Sequence, residues 1–197
     1  MQELQDTLLF ARTFFTSPKK LGSAIPSSRF LVEAVIGASH LEGAKVIVEY
    51  GPGVGTITRH LLRHMRRDAV LIAIEMEHGL YEHLRRSFRD PRLRVVHGSA
   101  ADVSKILKRL KIDRADTIIS GITFSTLPAP LREKIVASTV SALRESGTLV
   151  VYQFTASVLP LLKRHFREVS QRFVLRNVLP ARVFECSQKR EAVKRVA

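Results

Sequence analysis

Residues Val46-Ile47-Val48-Glu49-Tyr50-Gly51-Pro52-Gly53-Val54-Gly55 constrain this chain more than any other stretch. A short β-branched run ends in an acid, a glycine-rich turn follows at once, and Thr56 to Met65 then read as a helix. The order is strand, tight turn, helix N-terminus. Glycines at alternate positions let the backbone take φ > 0 and let a ligand approach the main chain closely. A second apolar run, Val70-Leu71-Ile72-Ala73-Ile74, comes after the helix and ends in Glu75. A carboxylate at the tip of the second strand of a βαβ unit is where a ribose diol is usually gripped.

The spacing of the glycines discriminates between ligands. Dinucleotide folds prefer G-x-G-x-x-G, whose helix N-terminus faces a pyrophosphate. Here the pattern is E-x-G-x-G-x-G, with Glu49 two residues before the first glycine. A negative charge there repels a pyrophosphate and suits an ammonium group. The pattern resembles motif I of the class I S-adenosylmethionine-dependent methyltransferases, so S-adenosylmethionine ranks ahead of NAD. That resemblance implies that Glu49 faces the methionine moiety, that Gly51, Gly53 and Gly55 line it, and that Glu75, with Met76 beside it, binds the ribose hydroxyls.

Composition sets the outer limits. A chain of 197 residues fits one domain with a sizeable core, and 45% hydrophobic content is ordinary for a soluble globular protein. The apolar stretch from Leu149 to Leu162 is broken by Gln153, Ser157 and Pro160, so it does not suit a bilayer span. The opening Met1-Gln2-Glu3-Leu4-Gln5-Asp6 lacks the basic region of a signal peptide. Cys186 is the single cysteine, which leaves no intrachain disulfide and no cysteine-based zinc site. These features point to a reducing cytoplasm, to a monomer, and to a site without metal. The charge is the unusual part. Thirty-two Lys and Arg against eighteen Asp and Glu give +14, a bias toward nucleic acid or an anionic membrane. Arg59, Arg63, Arg66 and Arg67 share one helix, Arg85, Arg86, Arg89, Arg92 and Arg94 follow, and for any one cluster a solvated surface is the simpler reading.

Strand and helix alternate along the chain. Helices are expected over 3–16, 28–40, 55–66, 77–88, 102–110, 129–143 and 157–166, and strands over 45–50, 70–75, 93–97, 115–119, 147–152, 168–176 and 181–187. Five α/β units imply a largely parallel sheet wrapped on both faces. The last two strands have no helix between them and suit a closing antiparallel hairpin. The expected architecture is therefore α/β and Rossmann-like, with seven strands. Residues 1–27 form an amphipathic helix and lid segment, and residues 28–197 form the methyltransferase domain. Ligands of such sheets sit at the carboxyl ends of the strands. Gly98-Ser99-Ala100 follows the third strand, where the class places the adenine. Ser120-Gly121-Ile122 follows the fourth, beside the transferable methyl group.

Three further segments resemble the bacterial phospholipid N-methyltransferases, which convert phosphatidylethanolamine toward phosphatidylcholine. They are Phe14 to Ser28 with its Pro26-Ser27-Ser28, Ser120-Gly121-Ile122-Thr123-Phe124-Ser125-Thr126-Leu127-Pro128, and Tyr152-Gln153-Phe154-Thr155 with Arg176-Asn177-Val178-Leu179-Pro180-Ala181-Arg182-Val183. The resemblance implies a methyl acceptor that is the amine of a lipid headgroup. Ser120 and Tyr152 are then the candidate catalytic residues, and Ser27, Ser28, Gly121 and Arg182 the candidate substrate ligands, with Arg182 offering a planar fork for phosphate. A related family, the ribosomal RNA adenine dimethylases, shares the cofactor half. Its Asn-Leu-Pro-Tyr-like motif after the fourth strand is missing from Ser120 to Thr123, and few residues remain after the final strand for a helical RNA domain. RNA therefore ranks below lipid, and a small-molecule amine stays open.

The first segment carries a physical expectation of its own. Leu4, Leu8, Ala11 and Phe15 fall on one helical face, with Phe10 and Phe14 alongside and Lys19-Lys20 beyond. Such a helix can lie in an anionic membrane interface or pack on the domain. The expected location is cytoplasmic, peripheral to the inner face of the membrane. His60 and His64 stand i, i+4 on one helix without a carboxylate, flanked by Arg59 and Arg63, and read as a solvated basic face rather than a metal site.

Overall fold

A computed structural model describes residues 27–177 and 179–189 of the chain. The expected helix over 3–16, Lys19-Lys20 and the basic tail lie outside the described residues. Helix α1 (Arg29–Gly37) leads into β1 (Val46–Tyr50), α2 (Thr56–His64), β2 (Val70–Glu75), α3 (His78–Ser87) and β3 (Leu93–His97). A 3-10 turn (Ala100–Asp102) precedes α4 (Val103–Arg109) and β4 (Ala115–Ser120). A second 3-10 turn (Phe124–Thr126) leads to α5 (Ala129–Ala142), β5 (Leu143–Gln153), α6 (Leu159–His165), β6 (Phe166–Val174) and β7 (Ala181–Lys189).

The seven strands form one sheet in the order β3-β2-β1-β4-β5-β7-β6. All neighbours through β5 are parallel, and β7 runs antiparallel to both β5 and β6. The apolar runs of the sequence explain the inner strands. Val48, Tyr50, Ile72, Ile74, Ile118, Leu149 and Val151 enter a core beneath α4, α5 and α6. Their alternates, including Ile47, Leu71, Ile119 and Val150, enter a second core beneath α1 and α2. A strand buried on both faces needs continuous rather than alternating hydrophobicity.

Among the boundaries that differ from the sequence expectation, three have a visible cause. Helix α1 stops at Gly37 rather than 40, because Ser39 donates its hydroxyl to the Val35 carbonyl at 2.6 Å and His40 takes a φ of 46°. β5 begins at Leu143 rather than 147, since the C-cap of α5 passes directly into the sheet. The register then jumps, from Ala115 opposite Leu143 to Thr117 opposite Thr148. β6 likewise starts at Phe166, the C-cap residue of α6. Neither junction carries a turn signal in its sequence.

Side chains pin the site-bearing strands in place. One oxygen of Asp116 accepts from the backbone N–H of both Lys45 and Val46, which locks the start of β1 beside β4. In the core the Tyr50 hydroxyl meets Thr139 of α5 at 3.1 Å. Thr139 itself donates to the Ile135 carbonyl, so Tyr50 donates and every partner is satisfied. Among the described residues, no helix is long and apolar enough to cross a membrane.

Candidate active site

The parallel strands end in register. Tyr50 lies opposite Ile74 and Ser120, Glu75 opposite His97, and Ser120 opposite Val151. A glycine follows three of these ends and extends the ladder by one bond each. Gly51 donates to Ile74, Gly98 to Glu75 and Gly121 to Tyr50, at 2.9–3.0 Å. All three line a cavity of about 460 Å³ at this edge. Its other walls are Glu75, Met76, Glu77 and His78 on one side, Ser99 and Ala100 beneath, and Ile122, Thr123, Leu127, Leu131 and Ile135 opposite.

The motif turn adopts the backbone that only glycine takes readily. Gly51, Gly53 and Gly55 have φ of 62°, 60° and 85°. They serve different ends. Gly51 lines the cavity, whereas Gly55 caps α2, and a β-carbon there would stand 2.5 Å from the Phe88 ring and 3.0 Å from Leu84. Gly55 thus faces α3 rather than the cavity that the resemblance assigned it to. Its requirement is packing.

Two carboxylates dominate the electrostatics. Glu49 is fully buried, and one oxygen accepts from the Thr58 hydroxyl of α2 at 2.7 Å. The other has no partner among the described residues. Burial pushes its pKa up to about 8, opposed by the Thr58 bond and reinforced by Glu75. Glu75 accepts from the backbone N–H groups of Gly53, Met76 and Glu77 at 2.9–3.2 Å. Burial raises its pKa and these bonds restrain the rise. Three donors fill three of roughly four lone-pair sites on a carboxylate, which leaves one acceptor lobe at the cavity wall.

A smaller pocket, with room for one water-sized group, adjoins the first. It shares Gly121 and Thr123 with it and is completed by Ser27, Tyr152, Phe154 and Asn177. Tyr152 ends β5 on the face that also carries Glu49 and Glu75, and its phenol backs directly onto Gly121, where a β-carbon would collide with the hydroxyl. Burial, and then the negative fields of Glu49 and Glu75, keep this phenol neutral well above its usual range.

The remaining sequence candidates fall in different places. Ser120 is buried and turns its oxygen toward the Ile122 N–H at 3.4 Å, outside the cavity lining. Ser28 caps α1 and donates its hydroxyl to the Arg176 carbonyl at 2.7 Å, so it is spent on the fold. Arg182 does not join Tyr152. It lies opposite Gln153 on the other sheet face, with its guanidinium 4.9 Å over Phe173. His64 accepts no metal partner from His60; its ring bonds the His60 carbonyl instead. Among the described residues no group of three or more His, Cys, Asp or Glu is placed to hold a metal. Sequence reasoning placed Ile122 beside the methyl group but missed Leu131 and Ile135 of the same apolar wall and the position of Asn177. The i, i+4 pair Leu131 and Ile135 was the available signal for the wall.

The donor set fits S-adenosylmethionine. An unpartnered buried carboxyl oxygen suits an ammonium, a carboxylate at the second strand tip suits a diol, and an apolar slot suits an adenine. The sequence profile named ribosomal RNA adenine dimethylase matches residues 15–166. The chain belongs to that family. An ornithine lipid N-methyltransferase of Singulisphaera acidiphila is 28% identical over 96% of this chain and 100% of its own length. A ribosomal RNA small subunit methyltransferase A of Ureaplasma urealyticum is 24% identical over 65% of this chain and 44% of its own. Among solved structures, the fold resembles the N-methyltransferase NodS of Bradyrhizobium japonicum in complex with S-adenosyl-L-homocysteine. That likeness has a TM-score of 0.66 at 14% identity, over 84% of this chain and 89% of that one. The protein is an S-adenosylmethionine-dependent methyltransferase.

Proposed function

We propose that the protein methylates the amine of a lipid headgroup at a membrane surface, with phosphatidylethanolamine and its methylated forms as the first acceptors to test. The observation that carries this reading is the side-chain pocket of Ser27, Tyr152, Phe154 and Asn177, which opens off the donor cavity at Gly121 and Thr123. The end-to-end match with a relative named for a lipid substrate supports it. The match with the RNA-named relative is confined to part of each chain.

S-adenosylmethionine, when bound, supplies an electrophilic methyl group on a sulfonium. Transfer is then an in-line displacement governed by alignment. Glu49, Glu75, Gly51, Ser99 and Ala100 would hold the donor, and the Ile122–Ile135 wall would keep water from it. An ammonium acceptor must first release a proton to expose its lone pair. Tyr152 is neutral, so its phenol orients the amine rather than deprotonating it, and the proton leaves to solvent. Glycine at 121 lets the Tyr152 phenol stand directly against the main chain between the two pockets.

RNA is the second reading, favoured by the family match and by the arginine-rich surface of α2 and α3. One experiment separates the two. Protein and tritiated cofactor are offered vesicles carrying phosphatidylethanolamine, vesicles carrying ornithine lipid, or bare ribosomal RNA. Label in lipid is expected. Label in RNA alone overturns the reading.

A further inference from the structure

The tip of the β6–β7 hairpin carries most of the large hydrophobic side chains that the described residues leave exposed. Phe173, Leu175 and Leu179 are 48%, 69% and 41% accessible, and Met76 is the other such residue. Val174 pairs with Ala181 and Arg182 with Gln153, so the tip stands at the edge of the sheet where the active site opens. Asn177, on the same tip, lines the acceptor pocket. The tip is also held firmly. Ser28 donates its N–H to the Asn177 side chain and its hydroxyl to the Arg176 carbonyl, and the Asn177 amide donates to the Leu179 carbonyl at 2.8 Å.

Cations ring these apolar groups. Arg182 lies over Phe173 at 4.9 Å, and Arg29 and Arg176 lie over Phe30 at 4.7 and 5.3 Å. Arg172 shares a shallow groove with Phe30, Leu175 and Arg176, where Glu33 is the one acid. None of the four arginines forms an ion pair among the described residues. An exposed apolar cluster marks a binding face. Unpaired guanidinium groups around it match a surface that is apolar within and anionic at its rim, which is the profile of a phospholipid interface.

We propose that the β6–β7 hairpin docks the protein on an anionic phospholipid bilayer, with Phe173, Leu175 and Leu179 at the acyl boundary and Arg172, Arg176 and Arg182 on the phosphates. The inference rests on the lipid reading above. It adds that docking presents the acceptor pocket to the membrane, so the headgroup amine reaches Tyr152 without leaving the interface.

The native chain has no tryptophan, so Leu179→Trp in the full-length protein introduces a single indole that can be excited apart from the tyrosines. Vesicles with an anionic lipid should shift its emission to the blue, and lipids brominated in the acyl chain should quench it. The double variant Leu175→Asp with Leu179→Asp should lose at least about tenfold in vesicle partitioning. Its cofactor affinity and its turnover of a water-soluble, short-chain amine phospholipid should stay at the native level. If the double variant does not fold, the tryptophan measurement decides alone. Emission unchanged by vesicles overturns the inference, whether or not the protein sediments with them. A blue shift that follows protein concentration without lipid overturns it in favour of a second copy on this face. An acceptor other than lipid would show as no label in either lipid, a result read independently of the fluorescence.

Discussion

Ser28 and Asn177, far apart in the chain, meet where the backbone N–H of one donates to the side-chain oxygen of the other at 2.9 Å. The bond ties the start of α1 to the β6–β7 loop at the mouth of the acceptor pocket. Asn177→Ala removes the acceptor and leaves a half-buried donor unpaired, at a cost of about 1 kcal/mol. Thermal unfolding should fall by roughly 2–4 °C for a domain of this size. KM for the acceptor should rise several-fold while cofactor affinity by calorimetry stays unchanged. Asn177→Asp keeps the acceptor for Ser28 but loses the donor to the Leu179 carbonyl, so it should recover only part of the stability.

Glu49 gives a pH dependence whose sign is fixed by its environment. Its carboxyl titrates near 8 in the fold and near 4.5 when unfolded. The folded state therefore holds an extra proton between those values, and stability from this group is lost progressively from about pH 4.5 to 8 and then levels off. Glu49→Gln should match the native Tm near pH 4 and exceed it increasingly as pH rises, by at least roughly 2–4 °C near pH 9. The same substitution should weaken cofactor binding, because an incoming ammonium favours the ionised carboxylate. Native binding should tighten as pH climbs toward 8 and release a proton. Calorimetry in buffers of different ionisation heat measures that proton directly.

Tyr152 separates positioning from proton transfer. Tyr152→Phe should lower kcat by roughly tenfold to a hundredfold through lost alignment, with cofactor affinity intact. The shape of the pH–rate profile should not change, since the phenol stays neutral across the working range. A limb that vanishes in the variant would make the phenol the base.

Gly55 is the packing test of the motif. Gly55→Ala places a methyl against Phe88 and forces a left-handed backbone on alanine. Strain of this kind costs about 1–3 kcal/mol before the clash is counted. Urea denaturation should show a stability loss of at least that size, and Phe88→Leu in the same chain should return part of it.

The strands were legible because burial on both faces leaves unbroken apolar runs, and Glu49 and Glu75 marked where two of them end. Gly51, Glu75, Met76, Ser99 and Ala100 line the cavity and were legible for the same reason: each sits at a strand end or within three residues past one. The far wall was not, since Leu131 and Ile135 reach the cavity only after α5 packs across the sheet. Arg182 was misplaced because strand alternation decides its face, and register comes from the pairing of β5 with β7 rather than from local pattern. Ser28 looked like a ligand because an N-cap and an anion site use the same atoms.

Three strand ends close with glycine main chain at the donor cavity, whereas Ser27, Tyr152 and Asn177 line the acceptor pocket with side chains. Of those glycines, Gly51 and Gly121 tolerate no side chain, whereas a pocket made of side chains changes with each codon. Gly121 and Thr123 belong to both, and everywhere else the two halves of the reaction are under separate hereditary control. A lineage can trade one methyl acceptor for another by altering a handful of positions on β5 and the last hairpin, while the methyl donor stays where it is.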